Sequence, residues 1–321
     1  MTLLTRSGNP RSEHPIVLTL STGRSGTSFL AHSVREAAGD RVAVYHEFLN
    51  VREAMPGRFH RSFDQRRLAE ISSHPPVARA IERIVAEAKE RPVVDFGWTM
   101  GPLVPLLHEL MGDRLRIIVL NRHPVISAAS MAVLGLYSNY PRPEEYMVTP
   151  SSEGARFPEF AALWAQMSEF EKCLYRWYEI ASYGLELSDR FPSLPMLFLN
   201  SETALKDGLA MSQIANFCGL VGVSPAPSNH RNGVRVQNVE TNPVGQEWRK
   251  YRKYPEIMGI GRALGFEFDD AVLGSAMASY QLPGTLGARL RYRFRYWLLR
   301  RKLGKALSGL AWVQRLRGSH P

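Results

Sequence analysis

The sequence predicts an α/β fold, a doubly wound and mostly parallel sheet with helices on both faces and a P-loop-like anion-binding loop after the first strand. Three observations predict it. Pro15 to Leu30 reads as strand, turn and helix: Ile16-Val17-Leu18-Thr19-Leu20 is apolar, Ser21-Thr22-Gly23-Arg24-Ser25-Gly26-Thr27-Ser28 is small and polar, and Phe29-Leu30-Ala31 opens a helical pattern. Arg114 to Leu120 is a β-branched run without alternation, as expected of a parallel strand buried on both faces. Other short apolar runs are separated by helical stretches, the pattern of βαβ units.

The first strand leads straight into the loop, and Phe29 to Ala38 carries the first helix. Arg41-Val42-Ala43-Val44-Tyr45 is the second strand, ending at His46-Glu47-Phe48. Arg52 to Arg61 is a basic loop, and Phe63 to Lys89 is helical with a break at His74-Pro75-Pro76. Arg91 to Gly97 gives the third strand and its turn, followed by a helix near Leu103 to Met111. The fourth strand is the run at Arg114 to Leu120. Phe157 to Leu187 is a long helical segment whose Trp164, Tyr175, Trp177 and Tyr178 recur at core-packing spacing. Leu194 to Glu202 reads as a further strand ending in an acid, and Val221 to Glu247 as a long loop rich in Pro, Asn and Gly.

A chain of 321 residues can bury a full core. Residues 1–14 are polar and expected to be disordered, 15–270 form the α/β domain, and 271–321 are a basic tail. Forty basic residues face thirty acidic ones, and the tail alone holds ten Lys or Arg with no Asp or Glu. The whole formal excess of +10 is therefore a property of the tail. Cys173 and Cys218 are far apart without metal-ligand spacing, so they are expected as small core residues in a reducing compartment. No apolar run reaches the ~20 residues of a membrane helix, and a cytoplasmic location is the default expectation.

Glycines let the loop curl so that successive N–H groups point inward, and the helix that follows adds its unpaired donors and positive dipole end. The nucleoside-triphosphate P-loop has Lys before Ser/Thr, whereas here Thr27 precedes Ser28. A cation stands inside the loop instead, at Arg24. Ligands of doubly wound sheets gather beyond the carboxyl ends of the strands. That rule points to the loop, to His46-Glu47, and to the residues after Leu120.

Arg24-Ser25-Gly26-Thr27-Ser28 resembles the 5'-phosphosulfate loop of the sulfotransferases that use 3'-phosphoadenosine 5'-phosphosulfate (PAPS). In that family the 3'-phosphate is held by an Arg and, eight residues later, a Ser, a spacing matched here by Arg122 and Ser130. His123 replaces the family's usual Asp, which bears on a capping role. Phe217-Cys218-Gly219-Leu220 matches a family turn, and Trp248 and Arg249 match a segment that folds over the nucleotide. The likeness covers about four fifths of the chain, ending near Phe266-Glu267-Phe268.

The resemblance implies in-line sulfuryl transfer from PAPS to a hydroxyl acceptor, leaving 3'-phosphoadenosine 5'-phosphate (PAP), with no metal. Ser25, Gly26, Thr27 and Ser28 would hold the 5'-phosphate, Arg24 would stabilise charge on the bridging oxygen, and Arg122 and Ser130 would hold the 3'-phosphate. Glu47 is the expected general base with His46 as runner-up. Some branches carry a catalytic Lys after the third strand, where this chain has Asp95-Phe96-Gly97-Trp98. Either that role is absent, or Asp95 serves the acceptor.

In the tail, Arg289 to Tyr296 alternates as a half-buried strand would, yet Tyr292, Tyr296, Leu299, Leu303, Leu307 and Leu310 recur at helical spacing. Basic residues among aromatics suit an anionic membrane surface, in keeping with a carbohydrate or lipid-linked glycan as acceptor; a solvated closing helix and an acidic polysaccharide dock fit as well. No nucleic-acid partner is expected. The competing readings are a P-loop phosphotransferase using a nucleoside triphosphate, which Thr27 opposes, and a non-catalytic nucleotide-binding module.

Overall fold

The computed structural model describes residues 14–140, 142–225, 244–278 and 280. Residues 1–13 of the expected disordered terminus, 226–243 of the expected long loop and 281–321 of the tail lie outside the described residues. In chain order the elements are β1 (Ile16–Leu20), α1 (Thr27–Ala38), β2 (Ala43–Tyr45), α2 (Val51–Ala54), α3 (Gln65–Ser73), α4 (Pro75–Glu87), β3 (Val93–Asp95), α5 (Val104–Met111), β4 (Leu115–Asn121) and α6 (Pro124–Ala132). They continue with α7 (Pro143–Tyr146), α8 (Glu169–Arg190), β5 (Met196–Asn200), α9 (Ser201–Ala204), α10 (Gly208–Phe217), α11 (Val244–Glu247), α12 (Pro255–Ala263) and α13 (Asp270–Ala278).

All five strands are parallel, in the order β2-β3-β1-β4-β5. The chain winds from β1 out to β2, returns to β3, then crosses to β4 and β5, so strand order reverses around β1. The crevice beyond the carboxyl end of β1, between β3 and β4, is where such a sheet opens a site.

Side chains alternate across a strand, and both faces of this sheet are covered. Ile16, Leu18, Leu20, Val93, Ile117 and Val119 pack with Leu68 of α3, Ile81 and Ile84 of α4 and Leu107 of α5. Val17, Val94, Ile118 and Leu120 face the other way, against Leu30 and Val34 of α1 and Met211 and Ile214 of α10. A third cluster, remote from α3 and α4 in its membership, gathers Val125 and Ala129 of α6, Leu174 and Trp177 of α8, Ile257 of α12 and Leu273 of α13. Helix α8 joins two of these clusters, since its Tyr183 and Leu187 belong to the first. Cys173 and Cys218 are free and buried, one in each of two cores.

The helix boundaries follow local chemistry. Pro75 and Pro124 open α4 and α6, where a missing N–H and a preset φ cost nothing. Helix α8 starts at Glu169 rather than near Phe157, because Pro158 opens a separate 3-10 turn, Pro158–Ala162, and Ser168 forms a capping box with Glu171. The 52–61 stretch overlaps the short α2 and is fastened to α8 by buried charge: the Glu179 carboxylate meets His60 Nε2 at 3.2 Å and Arg61 Nε at 3.3 Å. Among the described residues no helix is long and apolar enough to cross a membrane.

Candidate functional site

The loop between β1 and α1 supports its own curvature. Gly23 and Gly26 have φ of 79° and 91°, and Arg24, with a side chain, is also left-handed at 58°. Ser21 Oγ accepts from the Gly23 amide at 3.0 Å, and Ser25 Oγ donates to the Gly23 carbonyl at 3.3 Å. The Ser25 hydroxyl is thus spent inside the loop. Gly26 stands at the N-cap of α1 and has no side chain to cap the helix, and amides of a first helical turn have no intrahelical acceptor.

Residues from the far side of the crevice meet this loop. Arg24 Nε donates to Ser130 Oγ at 3.2 Å, and Arg122 donates from its guanidinium to the Arg24 carbonyl at 3.0 Å. Arg24, Arg122 and Ser130, separated by about a hundred residues in the chain, therefore form one cluster. Burial lowers the Arg24 pKa, with the positive charge of Arg122 acting in the same direction against the nearby Tyr280 phenol. Two half-buried cations side by side make a place that an anion would relieve.

The exit of β4 is built tightly. Trp177 Nε1 donates to the Arg122 carbonyl at 2.8 Å, fixing the backbone under the guanidinium. His123 caps α6: its Nδ1 accepts from the Val125 amide at 3.2 Å, while Nε2 lies 3.0 Å from the Glu267 carbonyl. Neutral imidazole with its proton on Nε2 satisfies both contacts, and burial pushes the His123 pKa down to about 4. Glu202, past the end of β5, accepts from the His123 amide at 3.2 Å and approaches Arg122 Nε at 3.9 Å.

On the other side, His46 Nε2 lies 3.3 Å from Thr27 Oγ1, which brings the exit of β2 to the start of α1. The surrounding protein holds the His46 imidazole below its ordinary value, against the pull of the Glu47 carboxylate. Glu47 has φ 62°, a conformation that costs a non-glycine residue roughly 1–2 kcal/mol. What holds it there is Asp95, at the end of β3 and 2 % exposed. Asp95 Oδ1 accepts from the Phe48 amide at 3.2 Å, and the Glu47 and Gly97 amides also bond this carboxylate. Gly97 is required by close approach, since a Cβ there would lie 2.8 Å from the Glu47 Cα and N. Burial pushes Asp95 up to about 7, and the Glu47 charge adds to it, against the three amide donors.

Trp248 and Arg249 have partners of their own. Trp248 is 2 % exposed in the third core, stacked with Tyr251. The Arg249 guanidinium lies over the Trp248 ring at 4.5 Å and pairs with Asp270 at 3.5 Å. Motif and spacing do not single out Thr22, Ser127 or Arg176. Thr22 Oγ1 lies 3.1 Å from Ser127 Oγ, and Arg176 Nε donates to the Thr22 carbonyl at 3.4 Å. The available clue was an arginine at the helical spacing of Cys173 and Ile180, on the face of α8 expected to be apolar.

Among the described residues no group of three or more His, Cys, Asp or Glu side chains is placed to hold a metal ion. No known family profile and no curated protein sequence matches this chain. Among solved structures, it is similar to the sulfotransferase domain from the Synechococcus PCC 7002 olefin synthase, with 14 % identity over 81 % of this chain and 98 % of that domain and a TM-score of 0.43.

Proposed function

We propose that this chain is a sulfotransferase that takes the sulfuryl group of PAPS to a hydroxyl acceptor, a carbohydrate or lipid-linked glycan being the favoured class. The observation that carries the reading is the union of Arg24, Ser130 and Arg122 beside a helix start without a side-chain cap. Such a cluster fits a ligand carrying two separated anionic groups, one for the loop amides and one for the rim. PAPS would supply the activated sulfuryl group and both phosphates.

In this reading the loop amides, with the Thr27 and Ser28 hydroxyls, hold the 5'-phosphate. Arg122 and Ser130 hold the 3'-phosphate. The Arg24–Ser130 hydrogen bond ties the guanidinium that meets charge at the bridging oxygen to the hydroxyl of the second subsite. Glu47 accepts the acceptor's proton, and its strained backbone supports that role, because such strain persists only where surrounding structure enforces it. His46, bonded to Thr27, orients the loop.

The test is calorimetric titration of the protein with PAP and with ADP, without metal, repeated on Arg122→Ala. A charged hydrogen bond to the 3'-phosphate is worth about 1.5–3 kcal/mol, so PAP should bind at least tenfold more tightly than ADP, and the variant should lose that preference. Equal binding of the two nucleotides in the wild type refutes the donor assignment.

A further inference from the structure

Arg176 lies in the middle of α8 and is 1 % exposed. Among the described residues no carboxylate comes within ion-pair distance of it. The acid one turn further on, Glu179, is occupied by His60, Arg61 and the Tyr175 hydroxyl. A guanidinium keeps its proton even when buried, so the folded chain holds a full positive charge here. Its hydrogen-bond and ring contacts among the described residues are neutral: the Thr22 carbonyl at 3.4 Å and the Trp98 ring at 4.5 Å. Both lie against the phosphate loop, since Thr22 belongs to it and the same Trp98 ring stands 3.3 Å from where a Cβ on Gly23 would be.

Removing one partner of a buried ion pair is strongly destabilising because a buried charge is left without its counter-charge. Here the protein is made that way. The cost is offset if the counter-charge arrives with a ligand on the opposite side of the Thr22–Gly23 backbone, where low polarizability lets a charge act at a distance.

We propose that Arg176 is the buried counter-charge of the phosphate loop, a positioning residue that favours an anionic group bound at the loop by acting through Thr22 and Gly23 without touching it. The inference rests on the reading that the loop binds an anion, and it asks nothing about the acceptor. A bound anion and Arg176 would then stabilise one another, whereas the ligand-free protein is under electrostatic tension at this point.

The experiment compares wild type, Arg176→Gln and Arg176→Lys by thermal unfolding without ligand and by calorimetric titration with PAP and with inorganic pyrophosphate. Glutamine keeps a donor for the Thr22 carbonyl and removes the charge; lysine keeps the charge. The expected result is at least tenfold weaker binding of both ligands in Arg176→Gln, with an unfolding midpoint equal to or above that of wild type, and recovery to within about threefold in Arg176→Lys. Unchanged affinity in Arg176→Gln, or a loss of affinity in both variants that follows a lower midpoint, overturns the proposal. If Arg176→Gln yields no folded protein, Arg176→Lys decides: wild-type affinity supports a role of charge, weakened affinity refutes it. Absence of any preference for PAP over ADP in the wild type would remove the donor assignment alone, while the pyrophosphate titrations still decide the role of Arg176. Failure of both PAP and pyrophosphate to bind the wild type refutes both.

Discussion

Asp95→Asn should change how stability depends on pH, by an amount the structure sets. The folded pKa of Asp95 is about 7 against an ordinary 3.8, because burial disfavours the carboxylate more than three amide donors favour it. The folded state therefore holds this proton more tightly than the unfolded chain does. Stability from Asp95 is fully present below about pH 4, declines as pH rises toward 7, and is constant above that. The two values lie about 3 pH units apart, and at ~1.4 kcal/mol per unit the decline is about 4 kcal/mol.

Asparagine does not titrate, so urea unfolding followed by tryptophan fluorescence should show the variant gaining about 3–4 kcal/mol on the wild type between pH 4 and pH 8. His123 has the opposite tendency, its folded pKa being pushed down to about 4, but it is common to both proteins and cancels in the difference. A difference that does not vary with pH refutes the reasoning. One that varies in the opposite sense shows that the three amides outweigh burial and that Asp95 is ionised.

Gly26→Ala should destabilise the protein by about 1–3 kcal/mol and abolish PAP binding, because Gly26 has φ 91° and a Cβ there overlaps the Leu205 side chain; unaltered affinity by calorimetry would contradict the loop assignment. Glu47→Gly relieves the left-handed strain, so a net gain of about 0.5–1 kcal/mol is expected together with loss of PAP release from PAPS, and a variant that is both less stable and fully active would count against Glu47 as a strained base. His123→Ala removes a helix cap worth about 1 kcal/mol. Because the folded His123 pKa is about 4 against an ordinary 6.5, the wild type's advantage over His123→Ala should be greatest above pH 6.5 and shrink by up to about 3 kcal/mol as pH falls to 4; an advantage constant over that range would show that His123 titrates normally.

The amino-acid sequence by itself placed the start of each of the five strands to within two residues, and likewise the starts of α1, α3, α4 and α5. β1 occupies the residues expected of it, and the β-branched run at Arg114 to Leu120 is β4 displaced by one residue. These features rest on interactions within a few residues: missing amides, branched side chains, glycines in a turn. The same locality explains why helical spacing overextends α8 at its start, since the helical pattern continues through Pro158 while the cap at Ser168 depends on one hydroxyl.

Tertiary structure alone decided which charges meet. Nothing local makes Arg24 bond Ser130, gives Glu47 its left-handed backbone under Asp95, or sets Arg176 behind Thr22. An Arg, an Asp or a Glu reads the same in a sequence whether water or a core surrounds it. Its proton affinity and its partners follow from the solvent that folding removes and from the distances that a parallel sheet imposes between segments about a hundred residues apart.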